Sequence, residues 1–566
     1  MKIKDIKYIR QDINKAISTL SEITNKVKEA RSGKDLIALR ERSIAVSKKI
    51  QSAYTLAYIR FTLDTTSQFY LEEKNYYDEN IPALSAISAK FNKAFLTSPY
   101  LKDALEFMNE NVAKIYELSL KIMDEKIVPD LVKESKLVTR YDKIMSEKTF
   151  FYKGKDLPLS VLKKYFDDTS RKTRKSSMEA LGKGLSEISD EIEDIFDKLV
   201  KLRAKMAKKM GFSSYSEMGD CQMGRYSYGR KEIKKFKEET KKSVTPLVTK
   251  MKNDLKKRLG IDNFMLYDNE ICFLQGNPTP VLNKKETFAV AKKMYHDMSA
   301  ETGAFIDYML SADAFDVDAR KGKWGGGYCT GIDEYKLPFI LANFNGSSGD
   351  IDVLTHEAGH AFAYYEAYNS EVDYELGLGT MSVAEIHSMA MEFFAWKYMD
   401  EFFGKRANDY RYSHLASSLT FIPYGVMVDE FEDCVYANPE MSKKERNDLW
   451  NVLDNYYRPY LSTMGIPYIE KGTRWQYQMH IFENPKYYID YCLSQSVAHQ
   501  FLVEAQENYE KSFNKYIKLL KKGGELPFEA LVESVGLKNP LLEGVLTESS
   551  IKIEKILNNL TSKISE

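Results

Sequence analysis

The chain has 566 residues, which is too long for one hydrophobic core and long enough to enclose a cavity. Its 82 basic and 82 acidic side chains give a formal net charge of +0, which excludes the uniformly basic surface of a nucleic-acid-binding protein. The five cysteines lie far apart without a CxxC pair, which excludes a disulfide framework and a thiolate metal site.

The N-terminal segment MKIKDIKYIRQDINKAISTL carries a charge every few residues, and the chain has no apolar run long enough to span a bilayer. We therefore expect no secretory signal and no membrane partner. The sequence predicts a soluble protein of the cytoplasm.

Apolar residues recur at three- and four-residue intervals from the start to about Met210, which predicts long amphipathic helices. The lysine-rich stretch 230–259 has interleaved glutamates and apolar residues, so we interpret it as a helix with a solvated face. The turn-forming segment Gly276–Pro280 separates it from another predicted helical stretch over about 284–310.

We place a boundary at this turn, between a mainly helical N-terminal lobe (residues 1–275) and a catalytic region with C-terminal helices (residues 276–566). Leu337 to Phe344 has the apolar and aromatic character of a short strand between glycine-rich turns. From Ile351 helices resume almost to the end, so the predicted fold class is mostly α.

The first chemical motif is His-Glu-Ala-Gly-His at positions 356–360. Side chains four residues apart share one face of a helix, so His356 and His360 can bind one zinc ion. Glu357 would flank that ion and take a proton from a bound water, which is the general-base position. Gly359 is unfavourable inside a helix, and a close crossing of another helix would explain it.

A catalytic zinc takes three protein ligands and leaves a fourth position for water, so a third ligand is needed. The segment Ser382 to Trp396 has the pattern of a second helix, with Glu385 and Glu392 two turns apart on one face. We predict Glu385 as the ligand and Glu392 as a carboxylate that orients a ligand histidine or only supports the structure. His387 projects elsewhere, and we expect it in the core or at the surface.

The segments HEAGH at 356–360 and AEIHSMAME at 384–392 together resemble the oligoendopeptidase F and thimet oligopeptidase family of zinc peptidases. As in that family, the glutamate follows the second histidine by 385 − 360 = 25 residues. GGGYC at 325–329, PFILANFNG at 338–346 and the segment 516–537 resemble further parts of the family.

The resemblance implies a mostly α fold in which two helical lobes flank a deep substrate channel, with a small β-sheet near the active site and one Zn²⁺ per chain. Because such a channel excludes folded proteins, the implied substrates are short unstructured peptides. An extended peptide is expected to pair with the strand that contains Ala342 and Phe344, with Tyr487 as a further substrate contact. The alternative makes this strand purely structural.

The resemblance also covers a histidine followed by clustered tyrosines, although residues 483–485 depart from a more glycine-rich version of that segment. It makes His480, Tyr488 and Tyr491 candidate donors to the negative charge that develops on the peptide carbonyl oxygen. Tyr488 and Tyr491 are three residues apart, and Tyr487 and Tyr491 are four apart. Either pair could share a helical face, so the choice stays open.

The predicted function is a zinc-dependent endopeptidase that acts on short peptides, with Glu357 as general base. A helical zinc carboxypeptidase or peptidyl-dipeptidase is the alternative within enzymes, because these also carry His-Glu-x-Gly-His and a glutamate on a following helix. A peptide-binding helical scaffold is the alternative from another class. The sequence leaves the oligomeric state open.

Overall fold

The computed structural model describes residues 2–564, most of which are helical. The early helices begin at polar N-caps: the side chains of Asp12, Ser32 and Ser67 each accept a hydrogen bond from a backbone amide in the first turn. The first helices are α1 (Ile13–Val27), α2 (Gly33–Leu63), α3 (Gln68–Leu96), α4 (Leu101–Ala104), α5 (Glu110–Ile122), α6 (Val128–Glu147), α7 (Leu159–Leu162), α8 (Arg171–Met210) and α9 (Tyr215–Gln222).

The lysine-rich stretch is helical, as predicted, and contains one π-helical turn. It comprises α10 (Arg230–Glu239), the π turn Thr240–Val244 and α11 (Thr245–Arg258). Most of its lysines are exposed, as expected of a solvated face, whereas Lys237 and Lys252 are buried.

The helical stretch predicted over 284–310 is present and consists of two helices. They are α12 (Lys284–Met298) and α13 (Ala300–Ser311). Ser299 between them has extended backbone, and its side chain accepts a hydrogen bond from the amide of Thr302. This N-cap starts a new helix where the apolar periodicity alone suggested continuity.

Two small sheets interrupt the helices in the part of the chain that the structure describes. A hairpin pairs β1 (Thr149–Tyr152) with β2 (Lys155–Pro158). The other sheet contains β3 (Phe315–Asp318), β4 (Tyr328–Ile332) and β5 (Leu337–Phe344) in the order β3-β5-β4. β5 has the predicted bounds, and it pairs in parallel with β3 and antiparallel with β4.

Helices fill the chain after this sheet, and the mostly α fold class is confirmed. They are α14 (Gly349–Asn369), α15 (Met381–Phe394), α16 (Met399–Phe403), α17 (Ala407–Ala437), α18 (Lys443–Tyr457), α19 (Met479–Glu483), α20 (Tyr488–Glu507), α21 (Tyr509–Lys522), α22 (Phe528–Ser534) and α23 (Val545–Thr561). Among the helices of residues 2–564, none is both long enough and apolar enough to cross a membrane.

Within residues 2–564 the buried apolar side chains form two clusters. The smaller comes mainly from α1 to α5 and includes Leu376 from the loop between α14 and α15. The larger runs through α8 to α23 and also takes in side chains from α2 and α6. The lobe boundary at residue 275 stays a prediction.

Candidate metal centre

The helix α14 carries His356, Glu357 and His360 on consecutive turns. Its start is fixed by Asp350, whose carboxylate accepts hydrogen bonds from the amides of Asn345 and Gly346. The two imidazole rings lie 5.0 Å apart between centroids and keep partial exposure. The motif is therefore helical, as its spacing predicted, and both rings stay accessible.

A second helix, α15, crosses α14 at Gly359. A Cβ atom added to this glycine would lie 2.5 Å from the carbonyl oxygen of His387 and 2.7 Å from Cα of Ser388. The predicted close crossing is thus confirmed, because only glycine lets the two backbones approach this closely. The crossing brings Glu385 of α15 beside the two imidazoles.

The three candidate ligands converge. Nε2 of His356 and Nε2 of His360 each lie 3.5 Å from Oε2 of Glu385. Ligand atoms of the three residues all lie within 4.8 Å of one another. Atoms about 2.1 Å from a tetrahedral zinc ion are roughly 3.4 Å apart, so this set fits three corners of the tetrahedron.

Glu385 is held in place from two sides. Tyr487 donates a short hydrogen bond to its Oε1, and the hydroxyl of Ser388 donates to its Oε2 at 3.0 Å. Burial alone would raise the pKa of this carboxyl, but the neighbouring His360 and His356 outweigh that and lower the pKa well below its usual value. Glu385 is therefore an anion in a buried position, as a metal ligand must be.

A chain of hydrogen bonds extends outward from His356. Its Nδ1 lies 2.6 Å from Oε1 of Glu392, whose Oε2 lies 2.7 Å from Nε2 of His414 on α17. Trp396 donates its indole N–H to Nδ1 of His414 at 3.1 Å. Because indole only donates, His414 carries its proton on Nε2 and donates to Glu392.

This chain of hydrogen bonds fixes the tautomer of His356. Burial tends to raise the pKa of Glu392, but hydrogen bonds from His356 and His414 lower it to about 2, so the group is a carboxylate. A carboxylate only accepts, so Nδ1 of His356 carries a proton and donates a hydrogen bond to Glu392, and Nε2, which faces Glu385, is the nitrogen that could bind a metal. No sequence pattern pointed to His414, since it lies 54 residues beyond His360 on another helix.

Glu357 lies beside the convergence point and is largely buried. Burial raises the pKa of its carboxyl, while His356 and His360 oppose the rise. Gly327, just before β4, approaches it closely: an added Cβ there would lie 3.9 Å from Oε1 of Glu357. The carboxylate thus sits between the two imidazoles and the glycine-rich turn.

The predicted histidine and tyrosines form one aromatic group. Ring centroids of Tyr487, Tyr488 and Tyr491 lie 5.9, 4.9 and 5.8 Å from that of His480. Tyr487 and Tyr491 are closer to each other, at 4.6 Å, than Tyr488 and Tyr491, at 5.8 Å. Tyr487, which was predicted as a substrate contact, also donates a hydrogen bond to the candidate ligand Glu385.

Tyr488 faces Gln478. The side-chain amide of Gln478 donates to the Tyr488 hydroxyl at 2.7 Å and lies 3.3 Å from Nδ1 of His480, while its oxygen accepts from Tyr424 at 2.6 Å. With Nδ1 accepting this bond, the proton of His480 is on Nε2. Burial lowers the pKa of His480 to about 4, so the ring is neutral near pH 7.

The pairing of a peptide with the strand through Ala342 and Phe344 stays a prediction. β5 is the central strand, with β3 on one side and β4 on the other, but the register with β4 ends at Leu341, so Ala342 and Phe344 lie beyond it. Ala342 is 1% exposed, and its carbonyl accepts a hydrogen bond from the ammonium of Lys323. Phe344 stacks on Phe288 with ring centroids 6.4 Å apart.

His387 lies in the core, one of the two places expected for it. Its ring nitrogens make no hydrogen bond within the described residues, and burial lowers its pKa to about 3. It is not among the side chains that converge on the candidate metal position.

Comparisons with known proteins agree with this geometry. The profile described as Peptidase family M3 matches residues 165–551, and that of the Peptidase M3 N-terminal domain matches residues 3–123. The structure of PZ peptidase A with inhibitor 2 is 35% identical, with 99% of this chain and 100% of the other covered and a TM-score of 0.96.

Two further relatives carry oligopeptidase names. A crystal structure assigned to an oligoendopeptidase F of Bacillus anthracis str. Ames is 34% identical, with 100% of this chain and 99% of the other covered and a TM-score of 0.91. Oligopeptidase PepF of Bacillus subtilis (strain 168) is 24% identical over 292 residues, which are 49% of this chain. That alignment spans 41% of the relative's length.

Proposed function

This chain belongs to peptidase family M3, and we propose that it is a zinc-dependent endopeptidase that hydrolyses short unstructured peptides. The observation that carries the proposal is the convergence of His356, His360 and Glu385 on one point, with Glu357 beside them. The names of the relatives support the same class of substrate.

His356, His360 and Glu385 would hold the zinc. Bound there, the ion would polarise the peptide carbonyl and lower the pKa of a water molecule to near 7. Glu357 accepts the proton from that water and delivers it to the nitrogen of the leaving amine. Burial suits it to this task, because a carboxylate with a raised pKa is a stronger base.

The aromatic group supplies donors to the carbonyl oxygen as negative charge develops on it. We assign this role to Nε2–H of His480 and the hydroxyl of Tyr491, each worth about 2.7 to 4 kcal/mol in such a site. Tyr487 instead steadies Glu385, and Tyr488 acts through Gln478, which orients His480. A neutral His480 can donate without carrying charge that would repel the metal.

The sheet offers another strand for an extended peptide. β4 lies at one side of the sheet, and Gly327, just before this strand, is next to Glu357. We propose that substrate adds to the sheet along β4, so that its scissile bond passes the convergence point. The channel implied by the family resemblance would then limit substrates to short chains.

The test compares the wild type with Glu357→Gln. The protein is incubated with a mixed peptide library, with and without a chelator, and the products are identified by mass spectrometry. We expect chelator-sensitive cleavage by the wild type, and a variant that keeps one zinc per chain but loses about 10²- to 10⁴-fold in rate. Substantial turnover by Glu357→Gln would reject the assignment of the base.

End-blocked peptides decide between the remaining alternatives. An endopeptidase cleaves them inside the chain, whereas a carboxypeptidase or a peptidyl-dipeptidase needs a free C-terminus. A protein that binds zinc and peptides but cleaves neither blocked nor free peptides would instead be a binding scaffold.

A further inference from the structure

Lys486 occupies an unusual position immediately before Tyr487. Its backbone φ is +71°, in the left-handed region that favours glycine, and its residue surface is only 2% exposed. Lysine is seldom buried unless it is paired. Both the backbone conformation and the burial are therefore unfavourable by themselves, and the surrounding structure must stabilise them.

Three of the four stabilising groups come from α17. The ammonium of Lys486 lies 2.5 Å from Oδ1 of Asp429 and 2.7 Å from Oδ1 of Asp433. The backbone N–H of Lys486 donates to Oε2 of Glu432 at 3.0 Å, and its carbonyl accepts from the guanidinium of Arg225. Both ends of the residue are thereby fixed to neighbouring elements.

The side chain also needs space along its length, and a glycine of α9 supplies it. A Cβ atom added to Gly219 would lie 2.8 Å from Cγ of Lys486. The lysine thus runs past α9 to reach the two aspartates of α17. Three separate elements define one conformation at this position.

That conformation orients the residues on either side of the turn. Tyr487 donates to Glu385, and the helix α20 starts at Tyr488, so the turn at Lys486 sets the direction of both residues. His480 precedes the same turn, and its ring lies against theirs. A change of backbone at Lys486 would move these rings relative to the ligands on α14 and α15.

We propose that Lys486 is a positioning residue: its ion pairs with Asp429 and Asp433 hold the turn that presents His480 and Tyr487 to the metal centre. This inference rests on the proposed function, because it assumes that these rings serve peptide hydrolysis. Lys486 itself touches no reacting atom.

The chain contains a matched control. Lys237 of α10 pairs with the other oxygens of the same two aspartates, at 2.7 Å for Asp433, and it too is buried. Lys237 is remote from Tyr487 in sequence and does not form the turn. Replacing either lysine by methionine removes the same charge from the same aspartates, but only one replacement affects the turn.

The experiment measures kcat and KM on an internally quenched peptide for the wild type, Lys486→Met and Lys237→Met. Zinc content, the urea midpoint and the affinity for a phosphinic peptide, which mimics the transition state, are measured on the same samples. We expect similar losses of stability in both variants and one zinc per chain throughout. Only Lys486→Met should lose kcat and phosphinic-peptide affinity, on the order of 10²-fold, with KM changed little.

Two further variants keep the test decisive. If Lys486→Met fails to fold, a double variant that combines it with Asp433→Asn is measured instead. This double variant removes one positive and one negative charge. Lys486→Arg keeps the positive charge and should restore part of kcat.

Equal kcat for the two methionine variants would overturn the inference while leaving the proposed function intact. A wild type without chelator-sensitive cleavage would overturn both.

Discussion

The hydrogen-bond chain behind His356 predicts a specific coupling between Glu392 and Trp396. Glu392→Gln replaces a group with two acceptor oxygens by one with an acceptor and a donor. In the wild type both oxygens accept from imidazole N–H groups, one of His356 and one of His414. The amide can satisfy only one of them, so its NH₂ must face an imidazole nitrogen that already carries a proton.

Neither orientation of the amide is free of cost. An NH₂ facing His356 forces the proton to Nε2, where it blocks the metal. An NH₂ facing His414 meets an N–H, because Trp396 occupies the other nitrogen of that ring. An unsatisfied buried donor costs about 1 to 3 kcal/mol, and loss of a ligand's hydrogen-bond partner typically weakens metal binding about 10- to 100-fold.

Removing the indole N–H should relieve this conflict. In Trp396→Phe, His414 can carry its proton on Nδ1 and accept from the glutamine amide through Nε2. We therefore expect Glu392→Gln to be less harmful in the Trp396→Phe background, with a coupling free energy of about 0.5 to 3 kcal/mol.

The assay is competition for zinc with a chromophoric chelator, measured on the wild type, both single variants and the double variant. Urea midpoints report any cavity left by the smaller ring, so that a general loss of stability is separated from a loss of metal affinity. Additive effects on the zinc dissociation constant would refute the tautomer argument. So would an unchanged affinity in Glu392→Gln.

Two further predictions concern stability. Gly359→Ala should destabilise the protein by about 1 to 3 kcal/mol and weaken zinc binding, because the new Cβ would lie 2.5 Å from the carbonyl oxygen of His387. In the control Gly325→Ala the new Cβ meets nothing within 4 Å, so the urea midpoint should not change. Burial raises the pKa of Glu432 from 4.5 to about 8. Between these two pH values the folded protein keeps the carboxyl proton, whereas the unfolded chain has released it. The free energy of unfolding therefore falls as pH rises through this range, by up to about 1.4 kcal/mol per pH unit. Glu432→Gln should therefore gain urea stability over the wild type from pH 5 to pH 8 and level off above it; a constant difference would contradict the raised pKa.

The parts of the fold that the sequence predicted correctly depend on local patterns. The strand Leu337–Phe344 lies between glycine-rich turns, and the spacing of His356 and His360 matches a helical turn, so neighbours along the chain carry the signal. The close approach at Gly359 was also visible, because glycine inside a helix calls for a packing reason. The break at Ser299 had a local signal as well, a serine N-cap, but the apolar periodicity on both sides obscured it.

The central position of β5 could not be predicted in the same way. Strand order depends on which strand lies on each side: β4 comes just before β5, but β3 on the other side comes from before the glycine-rich segment. A strand considered alone shows its own apolar character but not whether its edges are occupied. The substrate contact at Ala342 and Phe344 therefore stays a prediction.

The groups around the metal position also differ in whether a fixed sequence spacing reveals them. Two ligands share one helix, so chemistry imposes their spacing and the motif can be recognised. His414 and Lys486 act at a distance through a carboxylate or a backbone turn, and no fixed spacing links them to His356 or Tyr487. A buried lysine also looks like an exposed one in sequence: Lys234, with a side chain 77% exposed, and the buried Lys237 stand one helical turn apart in the same stretch. What distinguishes them is the pair of aspartates on α17, and only the folded chain brings those aspartates to one lysine and not to the other.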